Sequence, residues 1–530
     1  MKKIIIACLL LFILCLGVYF FFFKEETQNR PVVDGAESGL VNFTPTFYPV
    51  GLDFNHFYHD DSYPFAGSSL IDVDCDGVDE IFIGGGQGQD DALFKFNGTS
   101  FDNIITSSGL SNKTGTGGAV ALDINNNGHQ DLVVARMDGV YLYLNEGTGR
   151  FTESKLNVSF EVGAIPFSLT AGDINKDGLV DLYVSTFKSP KILKLATFNN
   201  PVNRSNNVML LNKGDGVFED ITQTSGLTYN QNTFQATFVD LDNDSWLDLV
   251  VAPNTDKVVV FENKKDGTFE QKPALSEYGF WMGLAIADID NDGDMDIFVS
   301  NVGNTIPEAA AKGDLASNQI LDLKWRLYKN DGDFNFTDVT EEMALDNYEF
   351  AWGAIFADLN LDGLSDLLVS ENYIKWPVHK LNKLDGRVLL QEATGQFTAV
   401  EKEAGLANPY YGTTPLVADF NGDGYSDVIW VNFNGQSNAF INQAGDNNYL
   451  KVIVPKKANT IGANIKVTRT DGVVLTKQIV AGVGLMTDLG GSYIFGLAQS
   501  EVEKVEITWP SGQVDTFSEV DINEELIVNK

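Results

Sequence analysis

The sequence predicts an all-β chain: a seven-bladed β-propeller, then a small β module, with an apolar N-terminal segment long enough to cross a membrane as a helix. Three observations predict this. One acidic loop pattern recurs seven times, strand-like runs around each loop fit four to a unit, and an uncharged apolar run opens the chain.

The loop is typified by DINKDGLVDLYV, Asp173 to Val184, which sets side-chain oxygens at positions 1, 3, 5 and 9 and Gly178 at position 6. That spacing suits a hard cation, since Ca²⁺ takes about six to eight oxygen ligands in a flexible shell. The glycine allows a sharp bend without a side-chain clash, and the Leu179 carbonyl is a further candidate ligand. A helix–loop–helix calcium hand carries Glu at position 12. Position 12 here is Val184, inside a strand-like run, so the loop joins two strands.

The full candidate set for Ca²⁺, in up to seven structural sites, runs in chain order. It comprises Asp72, Asp74, Asp76 and Glu80; Asp123, Asn125, Asn127 and Asp131; Asp173, Asn175, Asp177 and Asp181; Asp240, Asp242, Asp244 and Asp248. It continues with Asp288, Asp290, Asp292 and Asp296; Asp358, Asn360, Asp362 and Asp366; Asp419, Asn421, Asp423 and Asp427. Position 6 is Gly in every loop except the fourth, which has Ser245, where a positive φ is strained.

Successive loops lie 48 to 70 residues apart, a period that means a repeat architecture. An apolar run ends at each first Asp, as in GGAVALD (117–123), and a second follows, as in DLVVAR or DLYVST. A third run enters an Asn/Gly turn such as LYLNEGTGRF, and a closing Phe opens a fourth. The Phe positions and the Gly-Leu pairs 109–110, 226–227 and 405–406 are expected as contacts between blades. FTPTFYPVGLDF (43–54) has the fourth-strand pattern but precedes the first loop, so it is expected to complete the last blade and remove an open edge.

The 530 residues carry a formal net charge of −37, and 44% are hydrophobic. Much of the acidity is ligand supply for the loops. The remainder argues against a nucleic-acid partner, which needs Lys/Arg clusters. Lys2 and Lys3 precede the uncharged run Ile4–Phe23. About 20 apolar residues can span a bilayer. No A-x-A-like exit site follows, which favours an uncleaved signal-anchor over a cleaved signal. The lysines then keep the N-terminus cytoplasmic and the rest is exported. The expectation is a protein anchored in the membrane and facing the periplasm or cell exterior, or secreted if the signal is cleaved. Expected boundaries are 1–26 for the anchor, 27–42 for a linker, 43–444 for the propeller and 445–530 for a separate all-β module. Only Cys75 remains in the exported part, so no intrachain disulfide is expected there.

The D-x-[DN]-x-[DN]-G-x-x-D loops and N-x-G-x-G-x-F turns resemble FG-GAP/VCBS repeats, the units of integrin-α-type propellers. NTIGANIKV (459–467), VAGVG (480–484), SYIFGL (492–497) and VEITWPSGQV (505–514) resemble the ASPIC/UnbV domain. Together they resemble the bacterial relatives of cartilage acidic protein 1. The resemblance implies a calcium-stabilised extracellular or envelope propeller and supplies no catalytic residue.

No catalytic residue is expected from the remaining pattern either. His56, His59, His129 and His379 lack zinc or H-E-x-x-H spacing. Cys75 lies inside a loop as a filler rather than a nucleophile. Long second-to-third-strand connections at 186–207, 301–325 and 371–387 are expected on one face, where binding residues collect. They hold Lys188, Lys191, Lys194, Lys375, Trp376, His379, Lys380 and Lys383, which could attract an acidic ligand such as an anionic glycan. The expected function is a membrane-tethered binding or adhesion module for an extracellular glycan or protein; the alternatives are an enzyme acting on an envelope polymer and a scaffold of an envelope complex.

Overall fold

The computed structural model describes residues 44–57, 63, 66–191, 197–371, 384–433 and 435–528. The expected anchor over 1–26 and linker over 27–42 lie outside them, as do Lys194, His59 and the third insertion's Lys375, Trp376, His379, Lys380 and Lys383. Among the described residues no helix is long and apolar enough to cross a membrane.

The ring has seven antiparallel blades of four strands each. Their inner strands are Ser68–Ile71, Thr116–Leu122, Ala164–Gly172, Thr233–Val239, Leu284–Ala287, Ala351–Ala357 and Gly412–Ala418. Most inner and second strands are buried on both faces, as in Thr116–Leu122 and Asp131–Arg136. Hence their sequences run continuously apolar or small rather than alternating. Outer strands such as Phe151–Lys155 bury only their first residue.

Phe47–Leu52 completes the seventh blade, as expected. Phe47 to Val50 pair antiparallel with Asn442 to Ala439, and Gly51 and Leu52 then run parallel to Ser100 and Phe101 of the first blade. One short segment thereby ties the two ends of the ring together.

Hydrophobic clusters fill the wedges between blades. Separate cores join blades one and two, four and five, five and six, six and seven, and seven and one. A larger core joins blades two, three and four and continues into the C-terminal region through Leu450, Val452, Ile465 and Trp509. The Gly-Leu pairs sit at these wedges: Leu110, Leu227 and Leu406 are fully buried. Gly226 adopts φ +78, and a Cβ there would lie 2.7 Å from the carbonyl oxygen of Phe269 in the next blade. The Phe269 N–H bonds the Ser225 carbonyl at 2.8 Å, so glycine permits a backbone bond across the wedge.

Residues 445–530 do not stand apart: residues 42–530 form one compact unit. The region contains a three-stranded sheet, Asn448–Ile453 between Ser492–Ala498 and Glu525–Ile527. A four-stranded sheet adds Asn464–Arg469, Val474–Gln478, Val502–Thr508 and Val514–Phe517. The C-terminal region packs over the acidic-loop end of the ring, where the Asp123 N–H bonds the Lys456 carbonyl and the Ala498 N–H bonds the Leu361 carbonyl, both at 2.8 Å.

Candidate metal centres

All seven acidic loops share one hydrogen-bonded geometry. The position-1 carboxylate accepts the N–H groups of positions 5 and 6 at 2.8 to 3.1 Å. The position-9 carboxylate accepts the N–H of position 2 at 2.8 to 3.2 Å. In loops two to seven its other oxygen accepts a third-strand N–H, from Asn145, Asn212, Asn263, Asn330, Gln391 or Asn442, at 2.7 to 2.9 Å. Position 9 therefore anchors the loop to its own blade. Ser245 holds φ 70 at position 6, and its N–H reaches Asp240 at 2.8 Å, so the fourth loop keeps the common bend despite lacking glycine.

Three loops gather carboxylates tightly enough to hold a metal ion: Asp72, Asp74 and Glu80; Asp240, Asp242 and Asp248; Asp288, Asp290 and Asp296. One ligand atom from each member lies within 4.8 Å of the others. These are the loops with Asp at position 3; the other four carry Asn125, Asn175, Asn360 or Asn421 there, neutral oxygen donors that suit the same hard cation.

The electrostatics favour a cation. Burial pushes the carboxyls of Asp181, Asp248, Asp296 and Asp427 up to about 8. Burial likewise raises Asp131, Asp240, Asp288, Asp358 and Glu80 to about 7. Desolvated carboxylates gain most from a divalent ion, which restores the charge balance that water would supply. Where Asp or Glu fills all four side-chain positions, a lysine of the same blade also takes part. Lys95 Nζ lies 2.7 Å from Asp74, 2.8 Å from Asp76 and 2.8 Å from Glu80. Lys329 Nζ lies 2.5 Å from Asp290 and 3.2 Å from Asp292, and Lys265 Nζ lies 2.5 Å from Asp244. Reading the loops alone misses these lysines. The available signal is that Lys95 and Lys329 directly follow Phe94 and Tyr328, which pair with Ile81 and Ile297 at the same register of their blades.

The turn asparagines have a second role that hairpin statistics do not show. Asn145 Nδ2 donates to the Val73 carbonyl of the preceding blade at 2.9 Å, and Asn263, Asn330 and Asn442 reach Ile174, Leu241 and Leu359 in the same way at 2.8 to 3.0 Å. Gln391 replaces Asn in the sixth blade and reaches Ile289 at 2.9 Å. Each bond ties one acidic loop to the blade that follows it.

The other candidates resolve plainly. His56 is buried, and burial lowers its imidazole to about 4. Cys75 is exposed, its Sγ 3.4 Å from His129 Nδ1, and partial desolvation with the neighbouring carboxylates raises its thiol. Lys188, expected as a surface cation, is instead buried and paired with Glu161. The first two insertions do meet on one face: the Asp314 carboxylate accepts the N–H groups of Phe198 and Asn199, and Asn199 Nδ2 donates to Gln319 at 2.7 Å.

Comparison with known proteins agrees with this anatomy. An FG-GAP-like repeat model matches residues 123–184, 196–251 and 240–299, an FG-GAP repeat model matches 411–439, and an ASPIC and UnbV model matches 454–530. Cartilage acidic protein 1 of Homo sapiens is 22% identical over 489 residues, covering 84% of this chain and 69% of its own length. The Xenopus tropicalis protein of that name is 28% identical over 284 residues, covering 50% of this chain and 40% of its own. Similar solved structures include the V. cholerae biofilm matrix protein Bap1, at 12% identity and TM-score 0.35, covering 75% of this chain and 91% of that one. At that score the blade count rests on the strand pairing alone. The chain thus carries FG-GAP-like repeats in its ring and an ASPIC and UnbV domain at its C-terminal end.

Proposed function

We propose that the chain is an exported, membrane-tethered, calcium-binding propeller that acts as a binding or adhesion module for an extracellular or envelope ligand, and that it is not an enzyme. Its repeat and domain families point to binding rather than turnover. The observation that carries the calcium part is the repeated burial of position-1 and position-9 carboxylates in one loop geometry, with three carboxylate triads within 4.8 Å. Ca²⁺ would be held by the side chains at positions 1, 3, 5 and 9 and would supply charge compensation. The residues themselves supply the bend, the anchoring to the blade and the ties between blades.

The C-terminal domain covers the acidic-loop end, so the insertions at the opposite end offer the accessible face. Lys191 is exposed there, and 197–199 and 314–319 form a joined surface. Probing glycan and protein arrays with the soluble 27–530 fragment, with and without Ca²⁺, tests the reading. Calcium-dependent retention of a ligand without turnover is expected. Turnover of an envelope polysaccharide, or retention indifferent to Ca²⁺, would contradict it.

A further inference from the structure

The segment VAGVGLMTD, Val480 to Asp488, leaves the C-terminal domain and runs into the centre of the ring. Its polar backbone groups are taken up by one blade after another. The Ala481 carbonyl accepts the Ala171 N–H at 3.1 Å and the Thr170 hydroxyl at 2.7 Å. The Gly482 carbonyl accepts the Thr237 hydroxyl at 2.9 Å. Gly484 and Leu284 exchange two backbone bonds, each 2.7 Å. The Leu485 carbonyl accepts the Thr414 hydroxyl at 2.8 Å, and the Met486 N–H reaches Gln235 Oε1 at 3.0 Å. The Met486 carbonyl accepts the Ser68 N–H at 3.1 Å, and Thr487 pairs in parallel with Ser68. The Asp488 carboxylate accepts the Ala121 N–H at 3.0 Å.

Five blades are bonded through the segment's backbone and the second through the Asp488 side chain, and the remaining one touches the segment by packing. A Cβ on Gly484 would come 3.0 Å from Ile355 Cδ1 of the sixth blade. Positive φ at Gly482, Gly484 and Met486 turns successive peptide groups outward in different directions, as meeting a ring of partners requires. Leu485 and Met486 close an apolar cluster with Phe167, Phe234, Met282, Trp352 and Phe433 from five blades. The base of the segment is fixed by a buried ion pair, Lys456 Nζ to Asp488 Oδ1 at 2.7 Å.

We propose that residues 480–488 are an axial clasp: the C-terminal domain is a locking part of the ring rather than an appended binding module, and ring and clasp gain and lose structure as one unit. Withdrawing the clasp would orphan inner-strand N–H groups of four blades, at Ser68, Ala121, Ala171 and Leu284, and would open the apolar cluster to water. The claim is independent of which cation the loops take. It also means the central channel is not a free ligand passage.

Hydrogen exchange on the full chain tests it. Amides of 481–488 are expected to exchange within about tenfold of those in Thr233–Val239 and Gly412–Ala418. Exchange faster than that margin, with the inner strands still protected, would show an independently mobile arm and overturn the proposal. A second test is the S68C/T487C pair in a Cys75→Ser background. It is expected to form a disulfide spontaneously, since the two hydroxyls lie 2.8 Å apart. Absence of the cross-link in a variant that keeps the wild-type melting temperature would likewise overturn it.

Discussion

At the residue scale, the loops show how one carboxylate can serve two tasks. Position 1 folds the loop onto itself and position 9 ties it to its blade, while both lie close to where a cation would sit. Lys95 and Lys329 sharpen the electrostatics of the two loops they enter. A lysine that touches several ligand carboxylates competes with an incoming cation, so K95A and K329A are each expected to tighten Ca²⁺ binding at that loop by about tenfold, roughly 1.4 kcal/mol. Titration calorimetry checks this, and weaker binding would show that the lysines organise the ligands instead. The pH dependence follows from the burial of Asp181, Asp248, Asp296 and Asp427, whose carboxyls rise to about 8. A folded-state value above the unfolded one stabilises the metal-free fold at low pH, and that contribution is lost as pH rises through about 8. A cation bound as proposed would compete with the same protons. The drop in melting temperature on adding chelator is therefore expected to be larger at pH 9 than at pH 6; equal drops would contradict the account.

At the element scale, much was legible in the sequence because each strand advertises its environment. Continuous apolar runs mark strands buried on both faces, and a run such as FTES marks an outer strand with one buried residue. The seam at Phe47–Leu52 was legible because a fourth-strand pattern stood ahead of any loop. What the sequence hides is where a side chain's second hydrogen bond goes. Asn330 looks like a turn residue, yet it donates to Leu241 of the preceding blade at 2.8 Å. Asn330→Ala leaves that buried carbonyl without this donor, and a loss of about 1 to 3 kcal/mol is expected by denaturant titration. A change within about 0.5 kcal/mol, the range of ordinary surface substitutions, would limit the side chain to its turn. Lys188 departs from the expected surface cation for a related reason: its partner Glu161 lies 27 residues away, and nothing in the local sequence marks it.

At the scale of the whole molecule, the count of acidic loops predicts the count of blades. The seating of the C-terminal domain was not legible. Strand-like runs at 449–454, 464–469 and 492–497 identify a β module, but VAGVG carries no local hint that its partners are Ala171, Thr237 and Leu284. Those contacts join residues separated by 200 to 310 positions. The resulting molecule has one end capped by its own C-terminal domain and an insertion face at the other. In the function proposed above, its stability depends on a cation that neutralises the clustered carboxylates of the acidic loops.

The most direct test of that central claim is the thermal unfolding of the exported fragment in Ca²⁺ and in excess EGTA. Metal binding and folding are linked, so saturating a site at 100 times its Kd adds about 2.7 kcal/mol, and several loops together are expected to shift the melting temperature by well over ten degrees. Superimposable unfolding curves in the two conditions would contradict the account.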